Sequence, residues 1–168
     1  VTWDDGANWT EVPVSMEKLT ARGDQMDGQL SGAQEKSYVV SDEVTAFAYG
    51  GSMEVPVAVT FTHGKGNNWK TITVTNEAVS VRRLFLSFPD AEHGFLIFTG
   101  DRTMHQEGSS VYRTEDGGEN WFEVKPEQGY SADGGHSLLT GVAFVTDQAG
   151  FVTGGDGCYQ TTDGGLNW

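Results

Sequence analysis

The stretch "TEDGGENW" at Thr114–Trp121 returns as "TTDGGLNW" at Thr161–Trp168, as "TWDDGANW" at Thr2–Trp9 and, in weaker form, as "THGKGNNW" at Thr62–Trp69. The copies start at residues 2, 62, 114 and 161, hence 60, 52 and 47 residues apart. Each reads Thr-x-Asp-x-Gly-x-x-Trp with Asn just before Trp; the second has Gly64 where the others have Asp. Near-regular recurrence of this length marks a chain assembled from one supersecondary unit stacked on its neighbours. We call the eight-residue pattern a box.

The chemistry of a box is that of a tight turn between strands. Thr and Asp side chains reach backbone N–H groups that a turn leaves free. Gly supplies the positive φ that a hairpin turn demands. Trp then folds a large apolar ring back onto the strands. None of this requires a ligand, so the boxes read as structural. Without its Asp, the second box should be the loosest turn.

A second signal lies between boxes. "SDEVTAF" (Ser41–Phe47), "PDAEHGF" (Pro89–Phe95) and "TDQAGF" (Thr146–Phe151) each place an Asp shortly before a Phe within or opening an apolar run, a turn joining two strands. In the clearest unit the strands are Leu84–Phe88, Phe95–Thr99, Val111–Thr114 and Trp121–Val124. Four short antiparallel strands every 40–50 residues or so are the pattern of a propeller blade. The abundance of Gly, 23 residues, and of Val, Phe, Trp and Tyr among the apolar residues fits pleated strands joined by tight turns. No amphipathic helical stretch of useful length appears. The expectation is an all-β chain, a single β-propeller segment over 1–168 with blade periods near 10–69, 70–121 and 122–168.

The boxes resemble the Asp-box, or bacterial neuraminidase repeat, of sialidases, xyloglucanases, sortilin-type receptors and photosystem-assembly-factor-like bacterial proteins. Thr2, Asp4, Gly6 and Trp9 match it, as do Thr114, Asp116, Gly118 and Trp121, and Thr161, Asp163, Gly165 and Trp168; Thr62, Gly66 and Trp69 match without the Asp. The resemblance implies a β-propeller whose boxes lie on the face opposite the ligand site, and it implies a bacterial, extracytoplasmic setting. It leaves the activity open, because a fold of this kind hosts many functions.

With boxes on one face, the other carries the loops 15–36, 75–82, 125–137, 50–54, 101–108 and 154–157. They hold the candidate binding residues Arg22, Asp24, Arg102, His105, Glu107, Tyr130, Asp133, His136 and Asp156. Loops on a rigid scaffold are where binding groups concentrate. Composition narrows the ligand: 10 Lys plus Arg against 24 Asp plus Glu gives a formal charge of −14, which repels phosphate backbones and disfavours nucleic acid. No run approaches the ~18 apolar residues of a membrane helix. The one cysteine, Cys158, excludes an internal disulfide and is expected to be a buried, inert thiol in a strand.

Catalysis lacks a signature. A sialidase needs an arginine cluster and an activated Tyr; the five arginines at 22, 82, 83, 102 and 113 carry no Arg-x-Pro motif. A paired-carboxylate glycosidase is not marked by sequence. "WDDG", "EDGG", "TDGG" and "TGGDG" lack the terminal Glu of an EF-hand, and the histidines at 63, 93, 105 and 136 show no ligand spacing, so no metal and no cofactor is expected. "RGD" at Arg22–Asp24 is a three-letter match of the kind chance supplies. The expectation is a non-catalytic module binding a protein or glycan. The alternative is a fragment of a sialidase- or xyloglucanase-like glycoside hydrolase with catalytic residues partly outside this chain. The chain opens just before one box, with "WTEVPV" (Trp9–Val14) expected as a blade's fourth strand, and stops on the last letter of another. Its blade edges would then be completed by further chain or by a second copy, and three periods fall short of the four blades at which propellers begin to close.

Overall fold

A computed structural model describes residues 1–20, 33–77, 80–103, 106–125, 139–155 and 157–168, the side chains of 20, 101–103, 106 and 107 excepted. Within them, three antiparallel sheets follow one another along the chain. The first joins β1 (Tyr38–Val40), β2 (Val44–Tyr49), β3 (Val57–His63) and β4 (Trp69–Thr75) in that order. The second joins β5 (Arg83–Ser87), β6 (Gly94–Thr103), β7 (Gln106–Thr114) and β8 (Phe122–Val124), and the third β9 (Gly141–Phe144), β10 (Gly150–Gly154) and β11 (Gly157–Thr161). These are blades of a β-propeller, here called blades one to three. The one described helix is α1, Met16–Thr20.

The three Asp-led turns and the second and third boxes join the strands they were expected to join; the fourth box follows β11, and the first box has no described strand beside it. The Asp-led turns connect the first and second strands of every blade; the boxes follow every third strand. Alternation of direction puts both kinds of turn at the same end of the sheet. They also touch: Gly117 N–H donates to Glu92 O at 2.7 Å and Gly164 N–H to Gln148 O at 2.9 Å.

Blade two shows why the apolar runs are continuous. On β6, Leu96 and Phe98 face blade one with Leu84, Leu86 and Tyr112, while Phe95 and Ile97 face blade three with Phe85 and Val111. A strand covered on both sides has no polar face to alternate with. The outermost β4 does alternate and carries Lys70, Thr71 and Thr73. Two apolar layers therefore hold the three blades together. One contains Val44, Ala46, Val57, Val59 and Phe61 of blade one. The other brings Phe144 and Val152 of blade three against blade two, with Phe95 and Phe144 stacked at 3.5 Å between ring centroids.

Four expectations need correction. Trp9–Val14 is not a strand: Val1 and Thr10 exchange hydrogen bonds at 2.8 Å, closing the first box, and then pairing stops because no described third strand continues beside it. Trp9 is accordingly 73% exposed, unlike the half-buried Trp69, Trp121 and Trp168. The span 101–108 is not a loop, since β6 and β7 stay paired past a register shift to Arg102↔Glu107 and Thr103↔Gln106. Cys158 lies in a strand but is exposed. The register explains the last point: Phe95 pairs with Arg113 and Phe151 with Gln160, so the two Phe are repeat equivalents, yet Phe95 is 1% exposed and Phe151 38%. Blade three's outward face, with Phe151 and Cys158, has no described blade against it.

Candidate functional site

The two ends of the blades differ in how their polar groups are used. At the box end those groups are consumed internally. In the third box Thr114 Oγ1 donates to Asp116 Oδ1 at 2.8 Å and accepts the Gly118 N–H at 2.9 Å. Asp116 Oδ1 also accepts the Asn120 N–H at 2.9 Å, and Oδ2 accepts Asn120 Nδ2 at 2.7 Å. The first and fourth boxes repeat every one of these bonds through Thr2, Asp4, Gly6 and Asn8 and through Thr161, Asp163, Gly165 and Asn167. The two residues before the next turn of chain sit in the left-handed region, Gly117 at φ 71° and Gly118 at φ 101°. Trp121 packs edge-on against Phe88, and its Nε1 donates to Gly118 O at 3.1 Å.

The electrostatics follow from this wiring. At Asp116 and Asp163 partial desolvation opposes ionisation, but bonds from the Asn side chain and backbone and from Thr outweigh it and hold both carboxyls below the usual range. Asp4 is lowered chiefly by the Asn8 N–H. In the neighbouring turn His93 Nδ1 lies 2.9 Å from Asp90 Oδ2; that bond raises the imidazole's pKa against its own desolvation. For Asp90, desolvation is outweighed by the bonds from His93, leaving it lowered. The box aspartates are thus engaged by the side chains and backbone of their own turns, which leaves them little to offer a ligand.

At the opposite end the first strands of adjacent blades, β1, β5 and β9, come together as the innermost layer. Arg83 begins β5 opposite Thr99, and Gly141 begins β9 opposite Thr153, both away from the boxes. Gln34 runs alongside, its Nε2 donating to Arg82 O at 3.2 Å and its Oε1 accepting Leu84 N–H at 3.0 Å. Leu86 N–H donates to Lys36 O at 2.8 Å. Lys36 then crosses to blade three and donates from Nζ to Thr140 O at 2.7 Å. Arg83 does the same from Nη1 to Leu139 O at 2.6 Å. Two cations from two blades thus cap consecutive carbonyls of a third. Lys36 holds φ 70°, uncommon for a residue with a side chain and a conformation retained only where surroundings fix it.

Of the candidates expected from sequence, Arg22, Asp24, His105, Tyr130, Asp133, His136 and Asp156 lie outside the described residues. Arg102 and Glu107 are register partners near the end of the β6–β7 hairpin, and their side chains lie outside them too. Lys36 and Arg83 were not singled out by the loop reading. The available signal was their rarity: cations directly preceding or opening a first strand in a chain with 10 Lys plus Arg. Among the described residues no group of three or more His, Cys, Asp or Glu could hold a metal, and no helix is long and apolar enough to cross a membrane.

No protein-family model matches the chain, and no curated protein matches it. Among solved structures, "YCF48 bound to D1 peptide" superposes on 79% of this chain with a TM-score of 0.52 and 16% sequence identity. The chain spans 38% of that structure's length. At this identity the likeness is one of fold: the chain is built as a β-propeller, and its sequence stands far from the neighbour that shares it.

Proposed function

We propose that this chain is a section of an Asp-box β-propeller serving as a non-catalytic binding or assembly module for a protein ligand, in a bacterial, extracytoplasmic setting. The ligand face is the one opposite the boxes. The observation that carries this reading is the contrast between the two ends of the blades. Box carboxylates and N–H groups satisfy one another, whereas Lys36 and Arg83 present cationic groups at the innermost strands without a described carboxylate partner. A rigid stack of blades holding polar groups at one end is the usual arrangement of a recognition surface. The structural neighbour's bound peptide supports a protein over a glycan as ligand class.

The test is to screen the chain against immobilised peptides, a glycan array and chromogenic glycosides. Saturable peptide binding with no glycoside turnover is the expected result. Hydrolysis of a sialoside or xyloglucan oligosaccharide above background would overturn the non-catalytic reading, and glycan binding without peptide binding would replace the ligand class.

A further inference from the structure

We propose that Lys36 and Arg83, where the first strands of the three blades converge, form a binding site for a carboxylate carried by a peptide ligand; this rests on the binding-module reading above. The ammonium and the guanidinium are anchored on the carbonyls of consecutive residues, Thr140 and Leu139. A Cβ added at Gly141 would sit 3.5 Å from Lys36 Nζ, an ordinary contact that places the ammonium beside β9, and 2.8 Å from Thr153 Oγ1. Both groups are cationic, and like charges on neighbouring anchors repel. Carbonyl dipoles orient them but do not neutralise them. Among the described residues carboxylates pair elsewhere: Asp42 with Lys65, Glu119 with Lys70, Asp90 with His93, Glu115 with Arg113 and Glu123 with Lys125.

Among the described residues neither cation has a carboxylate partner, and a ligand's carboxylate would supply one. A carboxylate fits the available donors. Among the described residues Arg83 spends one guanidinium nitrogen on Leu139 O and Lys36 one donor on Thr140 O, so each cation retains N–H groups of the kind a carboxylate accepts. Lys36 is exposed and Arg83 half-buried, so the pair is reachable. The anchoring carbonyls fix both heads before a ligand arrives, which lowers the ordering cost of binding.

The probes are N-acetyl-trialanine with a free C-terminal carboxylate, its C-terminal amide, and N-acetyl-aspartate amide. Each is titrated into the isotope-labelled 168-residue chain at low salt, with backbone amide shifts as readout. Saturable shifts at residues 34–36, 83–84 and 139–141 are expected with the two carboxylates and not with the amide. The tighter of the two carboxylates tells whether a chain terminus or an acidic side chain is the natural source. Lys36→Gln should weaken binding at least tenfold and Lys36→Arg should retain it, both with unchanged melting because the side chain is exposed; Arg83→Gln should weaken it similarly. Equal shifts with the amide, no saturation, or binding indifferent to Lys36→Gln would overturn the site. A peptide that binds the chain regardless of Lys36 and of its carboxylates would overturn this site and leave the binding-module reading standing. Carboxylate binding here with no peptide ligand in the screen would do the reverse.

Discussion

The second box and the third box make the same turn by different means. In the third, Asp116 gathers Thr114 and Asn120 into a closed set of hydrogen bonds inside eight residues. The second has no such acceptor. Thr62 Oγ1 reaches His63 O at 3.5 Å, and Asn67 Nδ2 donates to Gly64 O at 2.9 Å. Three successive residues, Gly64, Lys65 and Gly66, take positive φ where the third box needs two. What the second box lacks inside, its neighbours supply. His63 Nε2 lies 2.9 Å from Gly117 O in the next blade's box, Lys65 pairs with Asp42 at 2.9 Å, and Lys70 bonds Glu119. Its turn is held from without. The lesson is that one side chain decides whether a repeat's turn is autonomous or borrowed from tertiary contacts.

The comparison can be broken most forcefully at the Trp. Trp121 closes its box from the interior side, packed on Phe88 and the apolar layer between blades one and two, so Trp121→Ala should cost about 3 kcal/mol. Trp9→Ala, at the exposed first box, should cost within about 0.5 kcal/mol. Urea titrations of both variants check the pair, and equal losses would show that box Trp residues do not seal the blades.

At the Asp itself, Asp116→Ala strips the buried Thr114 hydroxyl and the Asn120 amide of their acceptor, a loss of about 1–2 kcal/mol by analogy with removing a helix cap. The reverse exchange should not restore the second box. Gly64 holds φ 90°, so Gly64→Asp is expected to lose about 1 kcal/mol even though it rewrites the repeat pattern. A gain in melting temperature would mean that the second turn relaxes to the geometry of the others.

A pH titration sharpens the contrast further. Asp116 and Asp163 are held below their ordinary value of 3.8, so they contribute stability that is fully present above it. That contribution disappears as pH falls through the lowered folded-state values. Acid unfolding followed by tryptophan fluorescence should therefore steepen below about pH 4. The Asp116→Asn, Asp163→Asn double variant should flatten that limb, whereas changes in the second box, which has no carboxylate, should leave it in place. The smallest effect belongs to the borrowed ties: His63→Ala should cost about 0.5–1 kcal/mol and Lys65→Ala less than about 0.5, measured as differences in urea midpoint. A loss at His63 above that at Asp116 would reverse the ranking of internal and external support.

How much of this was readable beforehand depends on how far apart the partners lie in the chain. The turn positions, the strand order within a blade and the third strand's passage into the second, third and fourth boxes were legible because their bonds close within a few residues and leave fixed spacings. The pairing of β6 and β7 beyond Gly100 was not, since a hairpin through polar residues looks like a loop until its register is known. Nor was the exposure of Cys158, Phe151 and Trp9, whose local patterns match buried equivalents. The sequence by itself determined the repeated hairpin, through Thr, Asp, Gly, Asn and Trp at set offsets. Only the tertiary structure brought Lys36 and Arg83 to the carbonyls of residues 139 and 140. Those bonds span 104 and 56 residues, and no local spacing encodes a meeting produced by stacking one blade on the next.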